Sequence, residues 1–469
     1  MRNNYWLNGM MGVIVGDALG LPVQFMYPDE IKGRPQGPVT GMEGYGCFDM
    51  PAGSWSDDSS MALAALDSIN VKGGIDAADI MENFVKWFND GEYTPAGITF
   101  DVGNTCMKAV TSFAKKHDVT TCGATGEYAN GNGALMRIMP VCLYAYDQQK
   151  NDGWSDKQVI EQVHQVAALT HNHLRSNMAC GLYYFMVREI IDCKSEKSFE
   201  QCLQDGLDNG FRFYGADIAN LVEMSHYGRL FHLDELKAVP ESEIRFSGYV
   251  VHSLEAAVWC LIQTDSFADG LLKVVNYGDD SDTVGAIAGG LAGLYYGYEG
   301  ISREWIEVIK RKDWIEEMVL LNAGKSYDLH RFTEAHVDDF GKALAEIKQG
   351  RKQSHWMWYI FPQIDGLGHS DIAIHFAIKS LDEARAYIRD PYLGSHMQEI
   401  CEALLAVHSN DPEYVMGYPD DLKLKSSMTL FAMADPDNPI YRMVLDKFFE
   451  GKMDDETLRR LPCKTEEQD

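Results

Sequence analysis

Helical periodicity is the feature that most restricts the fold of this chain. Apolar residues recur at three- and four-residue spacing in segments rich in Ala, Leu and Met: Met61–Ile69, Ile80–Phe88, Val159–Leu169, Ala179–Ile191, Leu254–Ile262 and Ile287–Tyr295. This spacing places apolar side chains on one face of an α-helix. Alternating runs of Val, Ile and Thr, which are typical of strands, are scarce. The sequence therefore predicts an all-α protein with functional loops between packed helices.

The length predicts more than one domain. At about 100–200 residues per domain, 469 residues correspond to roughly two to four domains. A helical stretch ends in Gly and polar residues near Asn322–Arg331, which predicts a boundary without a long linker. We predict a large domain at 1–325, a smaller, mostly helical domain at 331–462 and a charged tail at 463–469.

Composition excludes several classes of protein. The chain carries 41 Lys and Arg against 70 Asp and Glu, a net charge of −29, which argues against broad binding to a nucleic-acid backbone. Its longest apolar stretches, such as Ala286–Tyr296, fall short of the ~20 residues that span a bilayer, and no signal peptide is evident. The ten scattered cysteines fit reduced thiols. We therefore expect a cytoplasmic protein that does not bind membranes.

Two acidic segments lie far apart in the sequence, each just before a helix. Gly53–Met61 (GSWSDDSSM) contains Asp57 and Asp58 between hydroxyl residues. Asn276–Gly290 (NYGDDSDTVGAIAGG) contains several carboxylates before a helix rich in Gly and Ala. Either segment alone is typical of a helix N-cap, because Ser and Asp satisfy free backbone N–H groups.

The two acidic segments together indicate a metal site. If they met in the fold, four or five carboxylates would lie close together, and like charges at that range disfavour mutual ionisation. A divalent cation would remove the conflict. Carboxylate and hydroxyl oxygens without Cys or His suit Mg²⁺ or Mn²⁺ rather than zinc. Neither segment has the Glu at the twelfth position that a calcium-binding EF-hand loop requires.

Three further segments combine a loop with a helix. We predict that Gly16–Gly20 (GDALG) opens the first helical stretch. Asn130–Pro140 (NGNGALMRIMP) offers glycines for close backbone approach and one cation, Arg137, that can hold an anionic ligand. Phe100–Thr105 (FDVGNT) contains a single aspartate beside a glycine turn. For each segment, an ordinary turn or helix cap is the alternative interpretation.

A pair of histidines follows these segments. His171 and His173 lie in the sequence THNH. They are either ordinary core or surface histidines, or hydrogen-bonding partners of a phosphate or a base.

Taken in order, GDALG, GSWSDDSSM, FDVGNT, NGNGALMR, TH and NYGDDSDTVGAIAGGLAG resemble the ADP-ribosylglycohydrolase family over about residues 5–325. That family includes the dinitrogenase reductase-activating glycohydrolase and the ADP-ribosyl-acceptor hydrolases. The resemblance implies an all-α fold with two Mg²⁺ ions, replaceable by Mn²⁺, in a central cleft. It also implies release of ADP-ribose from a modified protein side chain, small molecule or nucleic-acid base.

The resemblance implies roles for individual residues. The metal ligands would be Ser56, Asp57, Asp58, Asp280, Asp282 and Thr283. The residues that contact the substrate would be Asp17, Asn130, Gly131, Asn132, Gly133, Met136, Arg137 and His171. Asp101 matches an aspartate credited with proton transfer in the arginine-specific members, and either Asp101 or Asp58 can act as general base.

Two positions depart from the family pattern. Gln24 stands where many members carry a glutamate that gates or assists the reaction, which affects the assignment of proton transfer. Asp279 stands where a second glycine is common, and it adds a charge without removing a ligand.

The implied chemistry is physically consistent with these residues. Cleavage at the anomeric carbon of ribose develops oxocarbenium-like charge. Two metal ions can fix the ribose hydroxyls and position or acidify a water. Two alternatives stay open: a reader or structural protein that binds ADP-ribose without cleaving it, and a metal-dependent hydrolase of another nucleotide-like substrate.

The second part is less informative. Gly350–Gly368, Ser380–Tyr387, Pro391–Gly394 and Pro419–Phe431 resemble an uncharacterised bacterial domain family over about residues 331–462. We predict helices at Thr333–Gln349, Ser380–Asp390 and His396–His408, and either a buried helical turn or a short strand at Trp356–Pro362. A candidate anion or ADP-ribose pocket combines basic and hydroxyl side chains with a tryptophan that stacks on a base: Arg351, Lys352, His355, Lys423, Lys425, Ser426, Ser427, and Trp356 or Trp358. The alternative is that the tryptophans are core residues and the lysines are solvated.

Overall fold

The structure is a computed structural model that describes residues 4–320 and 329–461, except His369 and Asp437. The chain divides into two compact units, Met1–Ser326 and Tyr327–Asp469. Most of the boundary region predicted at Asn322–Arg331, and the predicted tail at 463–469, lie outside the described residues. The described residues form helices and no strand, which confirms the all-α prediction.

The sixteen α-helices described in the first unit surround one hydrophobic core. They are α1 (Asn4–Gly20), α2 (Pro28–Gly33), α3 (Asp57–Lys72), α4 (Ala77–Asp90), α5 (Asn104–Lys116), α6 (Met139–Asp152), α7 (Asp156–Ala167), α8 (Leu174–Cys193), α9 (Phe199–Gly215), α10 (Leu221–Met224), α11 (Leu233–Lys237), α12 (Val250–Leu261), α13 (Phe267–Val275), α14 (Ser281–Tyr296), α15 (Arg303–Val308) and α16 (Lys312–Leu320). Short 3₁₀ turns occur at Leu21–Val23, Glu127–Ala129, Ile218–Asn220, Ser225–Leu230, Glu241–Glu243 and Tyr298–Gly300.

Helices α1 and α14 pack with their backbones in contact, because both carry glycines at four-residue spacing. A Cβ added at Gly16 would lie 2.0 Å from the carbonyl oxygen of Gly285, and one at Gly20 would lie 2.4 Å from the amide nitrogen of Asp282. No side chain larger than hydrogen fits at this crossing. The contact therefore brings Asp17, near the end of α1, beside the start of α14.

Two expectations about the N-terminal segment are wrong. GDALG ends the first helix rather than opening it, because α1 begins at Asn4 and continues to Gly20. The second expectation is that every apolar stretch falls short of the length that spans a bilayer. Asn4–Val23 is in fact long and apolar enough to cross a membrane by length and composition. However, 89% of its most apolar window is buried within the protein, and a core helix passes the same test.

The nine α-helices described in the second unit enclose a separate core. They are α17 (His330–Lys348), α18 (Met357–Ile360), α19 (Asp371–His375), α20 (Leu381–Arg389), α21 (Pro391–Ala406), α22 (Pro412–Met416), α23 (Asp420–Ala434), α24 (Ile440–Phe449) and α25 (Asp455–Arg460). The three long helices predicted for this part coincide with α17, α20 and α21 to within a few residues at each end, apart from the earlier start of α21. Trp356–Pro362 forms a buried helical turn, α18, and not a strand.

Candidate functional site

Three buried carboxylates from three helices form the centre of the site. Asp17, Asp58 and Asp282 each offer an oxygen that lies within 4.8 Å of the other two, and none of the three is exposed to solvent. We refer to these residues as the acidic cluster. It joins the end of α1 to the first turns of α3 and α14, so the two acidic segments meet in the fold.

Asp17 belongs to this cluster, although the resemblance assigned it to substrate binding. Its Oδ2 accepts hydrogen bonds from the backbone N–H of Ser59 at 3.0 Å and from its hydroxyl at 2.6 Å, and its Oδ1 accepts from the N–H of Ser56 at 2.9 Å. Asp17 thus fixes the first turn of α3. Asp17 reaches the acidic cluster because α1 packs against α14. The residues around Asp17 in the sequence do not indicate this packing.

The other two carboxylates of the acidic cluster each retain an oxygen without a partner. Asp58 accepts a hydrogen bond from the Ser56 hydroxyl at 2.8 Å, and Asp282 accepts one from the N–H of Thr283 at 2.9 Å. The remaining oxygens, Oδ1 of Asp58 and Oδ2 of Asp282, are buried and have no hydrogen-bond partner in the described parts of the chain. Buried anionic oxygens without donors are costly unless a cation pairs with them. This donor set fits a hard divalent ion.

The remaining predicted ligands flank the acidic cluster. Asp57 accepts a long hydrogen bond from the N–H of Gly103 at 3.4 Å, and Asp280 accepts one from Nδ2 of Asn132 at 2.6 Å. Thr283 is buried and hydrogen-bonds Asp280. Of the six residues that the resemblance assigns to metal binding, Asp58 and Asp282 belong to the acidic cluster, and the other four lie within two residues of them along the chain.

The carboxylates destabilise one another electrostatically. Burial raises the pKa of Asp17 and of Asp280 to about 6, and it raises the pKa values of Asp57, Asp58 and Asp282 well above the usual range. Repulsion from neighbouring carboxylates is a second cause for Asp57, Asp58 and Asp282. A cation bound among these groups would favour their ionised forms.

Asp101 borders the acidic cluster in a strained conformation. Its φ of +50° lies in the left-handed region, which side chains rarely adopt and which often marks functional sites. Burial raises the pKa of its carboxyl group, and the neighbouring side chains of Gln24 and Asp282 oppose that rise. Its Oδ2 is buried with no partner within the described structure. Gln24 therefore lies beside Asp101, where it can orient this group.

Asp279 also has a positive φ, of +53°. Glycine adopts this conformation readily, which explains why glycine is common at this position. The N–H of Asp279 donates to the carbonyl oxygen of Met26 at 2.8 Å, and its carbonyl oxygen accepts from the N–H of Phe25 at 2.7 Å. These bonds tie the start of α14 to the residues that follow α1.

The glycine-containing loop lies on the Asp280 side of the site. Asn132 donates from its backbone N–H to the carbonyl oxygen of Gly248 at 3.0 Å and from its side chain to Ser253 at 2.9 Å, besides its bond to Asp280. Asn130 accepts from the N–H of Val250 at 3.0 Å. Two paired segments, 130–132 and 248–250, therefore form one wall of the site.

Three residues predicted to contact the substrate are buried behind this loop. Arg137 is 1% exposed, and its guanidinium donates to Gly133, Val166 and Thr170, so it holds the loop rather than an anion. His171 is 2% exposed and lies under the glycines of the loop, where burial lowers its pKa to about 3. Met136 is part of the core. Contact of these three residues with a substrate stays a prediction.

A cavity of about 760 Å³ continues from this wall. Tyr249 lines it together with Arg229, Arg245, His252 and Glu255. Arg229 is paired with Glu255 at 2.9 Å, so the cavity combines both charges. The sequence interpretation did not identify these residues.

An aromatic cluster that the sequence interpretation also missed adjoins Asp101 and Gln24. The rings of Phe25 and Phe48 are 6.2 Å apart between centroids, and those of Phe48 and Phe100 are 5.5 Å apart. The three rings come from three separate segments, so no local pattern indicates them.

In the second unit, the structure removes one residue, Trp356, from the predicted anion pocket. Trp356 is fully buried and donates to Glu346 at 2.8 Å, which excludes stacking on a ligand and confirms its alternative interpretation as a core residue. Lys352 and Lys423 both pair with Asp420, at 2.7 and 2.8 Å, so much of their charge is neutralised. Two of the predicted residues, Ser426 and Ser427, are buried.

Comparisons with known proteins agree with this geometry. Residues 5–333 match the model of a family described as ADP-ribosylglycohydrolase, and residues 326–461 match a family described as protein of unknown function (DUF1810). ADP-ribosylarginine hydrolase Tri1 of Serratia proteamaculans is 30% identical over 66% of this chain and 76% of its own length. ADP-ribosyl-[dinitrogen reductase] glycohydrolase of Rhodospirillum rubrum is 32% identical over 65% of this chain and 90% of its own. A solved structure, an ADP-ribosylglycohydrolase-related protein complex, shows a TM-score of 0.53 and 26% identity, covering 69% of this chain and 98% of that chain.

Proposed function

The chain belongs to the ADP-ribosylglycohydrolase family, and from this premise we propose that its first unit is a Mg²⁺-dependent hydrolase that cleaves the glycosidic bond between ADP-ribose and a modified acceptor. Family membership and the curated relatives make the chain an ADP-ribosyl hydrolase. The requirement for Mg²⁺, the number of ions and the roles of the residues are the proposal.

The unpartnered oxygens of the acidic cluster are the observation that carries the proposal. Oδ1 of Asp58 and Oδ2 of Asp282 are buried beside Asp17, and burial and mutual repulsion oppose their ionisation. Carboxylate oxygens at this density are the ligands that Mg²⁺ or Mn²⁺ prefers. Asp17, Asp58 and Asp282 would hold one ion, with Asp57, Asp280 and Thr283 available for a second.

The bound ions would supply Lewis acidity toward the ribose hydroxyls and a water. The protein's own residues would bind the ribose and the nucleotide and hold the loop of the site in place. Asp280 and Asn132, joined at 2.6 Å, fix the wall against which the ribose lies. The cavity lined by Tyr249 is large enough for the rest of the nucleotide. Buried Arg137 and His171 keep the glycine loop in place.

Asp101 is the group that moves a proton. Its Oδ2 is unpartnered among the described residues, and burial raises the pKa of its carboxyl group, so it accepts a proton more readily than an exposed aspartate does. Gln24 is uncharged, and its role is to hold Asp101 in its orientation. In this account Asp101 protonates the departing acceptor atom or takes a proton from the attacking water.

The experiment is turnover by the purified full chain after removal of metal with EDTA, with and without added Mg²⁺. ADP-ribosyl-arginine, ADP-ribosyl-serine and ADP-ribosylated nucleic acid serve as substrates, and mass spectrometry measures the ADP-ribose released. We expect release only with Mg²⁺, and a loss of at least about a hundredfold in Asp101→Asn. Tight binding of ADP-ribose without release from any substrate would instead support the reader alternative.

A further inference from the structure

We propose that Arg175 is a positioning residue for the reaction: it holds the wall formed by segments 130–132 and 248–250 and thereby sets the affinity of the site for the nucleotide part of the substrate. The inference rests on the proposed function, because that function places the nucleotide in the cavity beside this wall. Arg175 itself does not touch the substrate. It acts through the residues that it bonds.

Arg175 joins three separate segments through one guanidinium group. It lies in the first turn of α8 and is 5% exposed. Its Nη1 donates to the carboxylate of Glu127 at 2.8 Å and to the hydroxyl of Tyr249 at 3.2 Å, and its Nε donates to Glu223 at 2.8 Å. Glu127 begins the 3₁₀ turn before the glycine-containing loop, Tyr249 precedes α12, and Glu223 lies in α10. The rigid planar fork of arginine holds these partners in one geometry, which the compact ammonium of lysine cannot reproduce.

The guanidinium is fixed at its base and stays charged. The backbone N–H of Arg175 donates to Nδ1 of His173 at 3.2 Å, and its carbonyl oxygen accepts from the hydroxyl of buried Tyr227 at 2.6 Å. Burial lowers the pKa of Arg175, but hydrogen bonds to Glu127 and Glu223 outweigh this effect and raise the pKa overall. Arg175 is therefore a permanent cation held in one place.

One hydrogen bond of Arg175 reaches the first segment of the wall. The backbone carbonyl of Glu127 accepts from Nδ2 of Asn130 at 2.8 Å. Asn130 begins the glycine-containing loop, and Asn132 in that loop donates to Asp280 at 2.6 Å. A shift of Glu127 would therefore move the loop that fixes Asp280.

A second hydrogen bond from the same nitrogen reaches the other segment of the wall. The Tyr249 hydroxyl accepts this bond, and the guanidinium carbon of Arg175 lies 5.9 Å from the centroid of the Tyr249 ring. Tyr249 also lines the cavity of about 760 Å³. Without the guanidinium, the two segments of the wall lose a common anchor, and the cavity loses the fixed orientation of one of its rings.

Helix α8 also supplies a matched control. Arg188 lies in the same helix, donates to Asp156 at 2.7 Å and holds its guanidinium carbon 4.8 Å from the centroid of the Phe185 ring. Neither of these partners belongs to the wall or lines the cavity. Arg175→Lys and Arg188→Lys therefore make the same chemical change in one helix, and only the first alters the wall.

The test measures kcat and KM for release of ADP-ribose by the full chain with Mg²⁺, with whichever of ADP-ribosyl-arginine, ADP-ribosyl-serine and ADP-ribosylated nucleic acid it cleaves. Calorimetry measures the affinity for free ADP-ribose, and electron paramagnetic resonance measures the affinity for Mn²⁺. Tyr249→Phe removes only the hydroxyl that Arg175 contacts, and it is measured alone and combined with Arg175→Lys.

We expect Arg175→Lys to raise KM and to weaken binding of ADP-ribose by about tenfold, as loss of a hydrogen bond to a charged group implies, with kcat and Mn²⁺ affinity within about twofold of the wild type. A higher KM at constant kcat indicates weaker binding rather than general loss of the folded site. Tyr249→Phe should have a smaller effect in the same direction. The two effects should not multiply in the combined variant, because both changes break the same bond. Arg188→Lys should match the wild type in every measurement.

Unchanged KM and ADP-ribose affinity in Arg175→Lys, or a parallel loss of kcat and Mn²⁺ affinity, would overturn the positioning role while leaving the hydrolase intact. Effects of Arg175→Lys and Tyr249→Phe that multiply would also contradict it. No release from any substrate by the wild type would instead reject the proposed function, and the affinities for free ADP-ribose would then still decide the role of Arg175.

Discussion

Asp282→Asn should stabilise the metal-free protein and remove its stabilisation by Mg²⁺. The introduced amide keeps one hydrogen bond and adds donors: its oxygen can still accept from Thr283, and its nitrogen replaces the unpartnered Oδ2 and can donate to neighbouring carboxylates. In an ordinary helix cap, the same change would alter stability little. The sign of the change therefore distinguishes a metal site from a cap.

The size of this stabilisation follows from the distances between the carboxylates of the acidic cluster. Two unit charges 4.8 Å apart repel by about 3 kcal/mol at an effective dielectric constant of about 20. Partial protonation relieves some of this repulsion, since burial raises the pKa of Asp17 to about 6. We therefore expect a gain of roughly 2 kcal/mol in the metal-free variant, or about 4 °C in the Tm of a unit of this size. Mg²⁺ at about a hundred times its Kd should stabilise the wild type by about 2.7 kcal/mol and the variant hardly at all.

The assay is thermal unfolding in EDTA and in excess Mg²⁺. Asp76→Asn is the matched control, because Asp76 caps α4 through the N–H groups of Ala78 and Asp79 and lies outside the acidic cluster. It should melt like the wild type in both buffers. A lower Tm for Asp282→Asn in EDTA, or an equal response of variant and wild type to Mg²⁺, would refute the reasoning.

Two further predictions concern stability. Gly285→Ala should destabilise the first unit by about 1–3 kcal/mol or more, because the new Cβ would lie 2.4 Å from the Gly16 carbonyl oxygen, whereas Gly341→Ala, with nothing within 4 Å, should be neutral or stabilising; denaturant unfolding checks both, and equal effects would contradict the helix contact. Burial opposes ionisation of Glu346, but hydrogen bonds from Ser354, Gln353 and Trp356 outweigh it and lower its pKa to about 2. Because the folded pKa is depressed, this stability is present above about pH 4.5 and is lost as the pH falls toward 2, so Glu346→Gln should cost about 2–3 kcal/mol at pH 7 and progressively less in acid; a cost independent of pH would contradict it.

Helical periodicity and paired acidic segments were sufficient to predict the fold class and the meeting of Asp58 with Asp282. Both segments begin helices, and helix starts can converge on one point. The role of Asp17 could not be predicted, because it depends on the crossing of α1 and α14 and lies at the end of a helix. The sequence also could not show that Arg137 and His171 are buried, since this depends on the packing of the glycine loop against residues 166–171, which lie far from it along the chain.

The aromatic cluster was beyond sequence reasoning for a related reason. Phe25, Phe48 and Phe100 come from three segments that are far apart along the chain and have no common periodicity. In the second unit, a tryptophan among basic residues suggested a ligand site, but Trp356 donates a hydrogen bond to Glu346 and belongs to the core. Residue type indicated the possible chemistry, and only packing decided which residues remain accessible.

The most direct test of the central claim, that hydrolysis depends on a divalent ion held by the acidic cluster, is a Mn²⁺ titration followed by electron paramagnetic resonance in the same samples in which ADP-ribose release is timed. We expect that bound Mn²⁺ and the rate of release rise together in the wild type, and that both are lost in Asp58→Asn. Full release of ADP-ribose from wild-type protein with no Mn²⁺ bound, or Mn²⁺ binding that persists unchanged in Asp58→Asn, would contradict it.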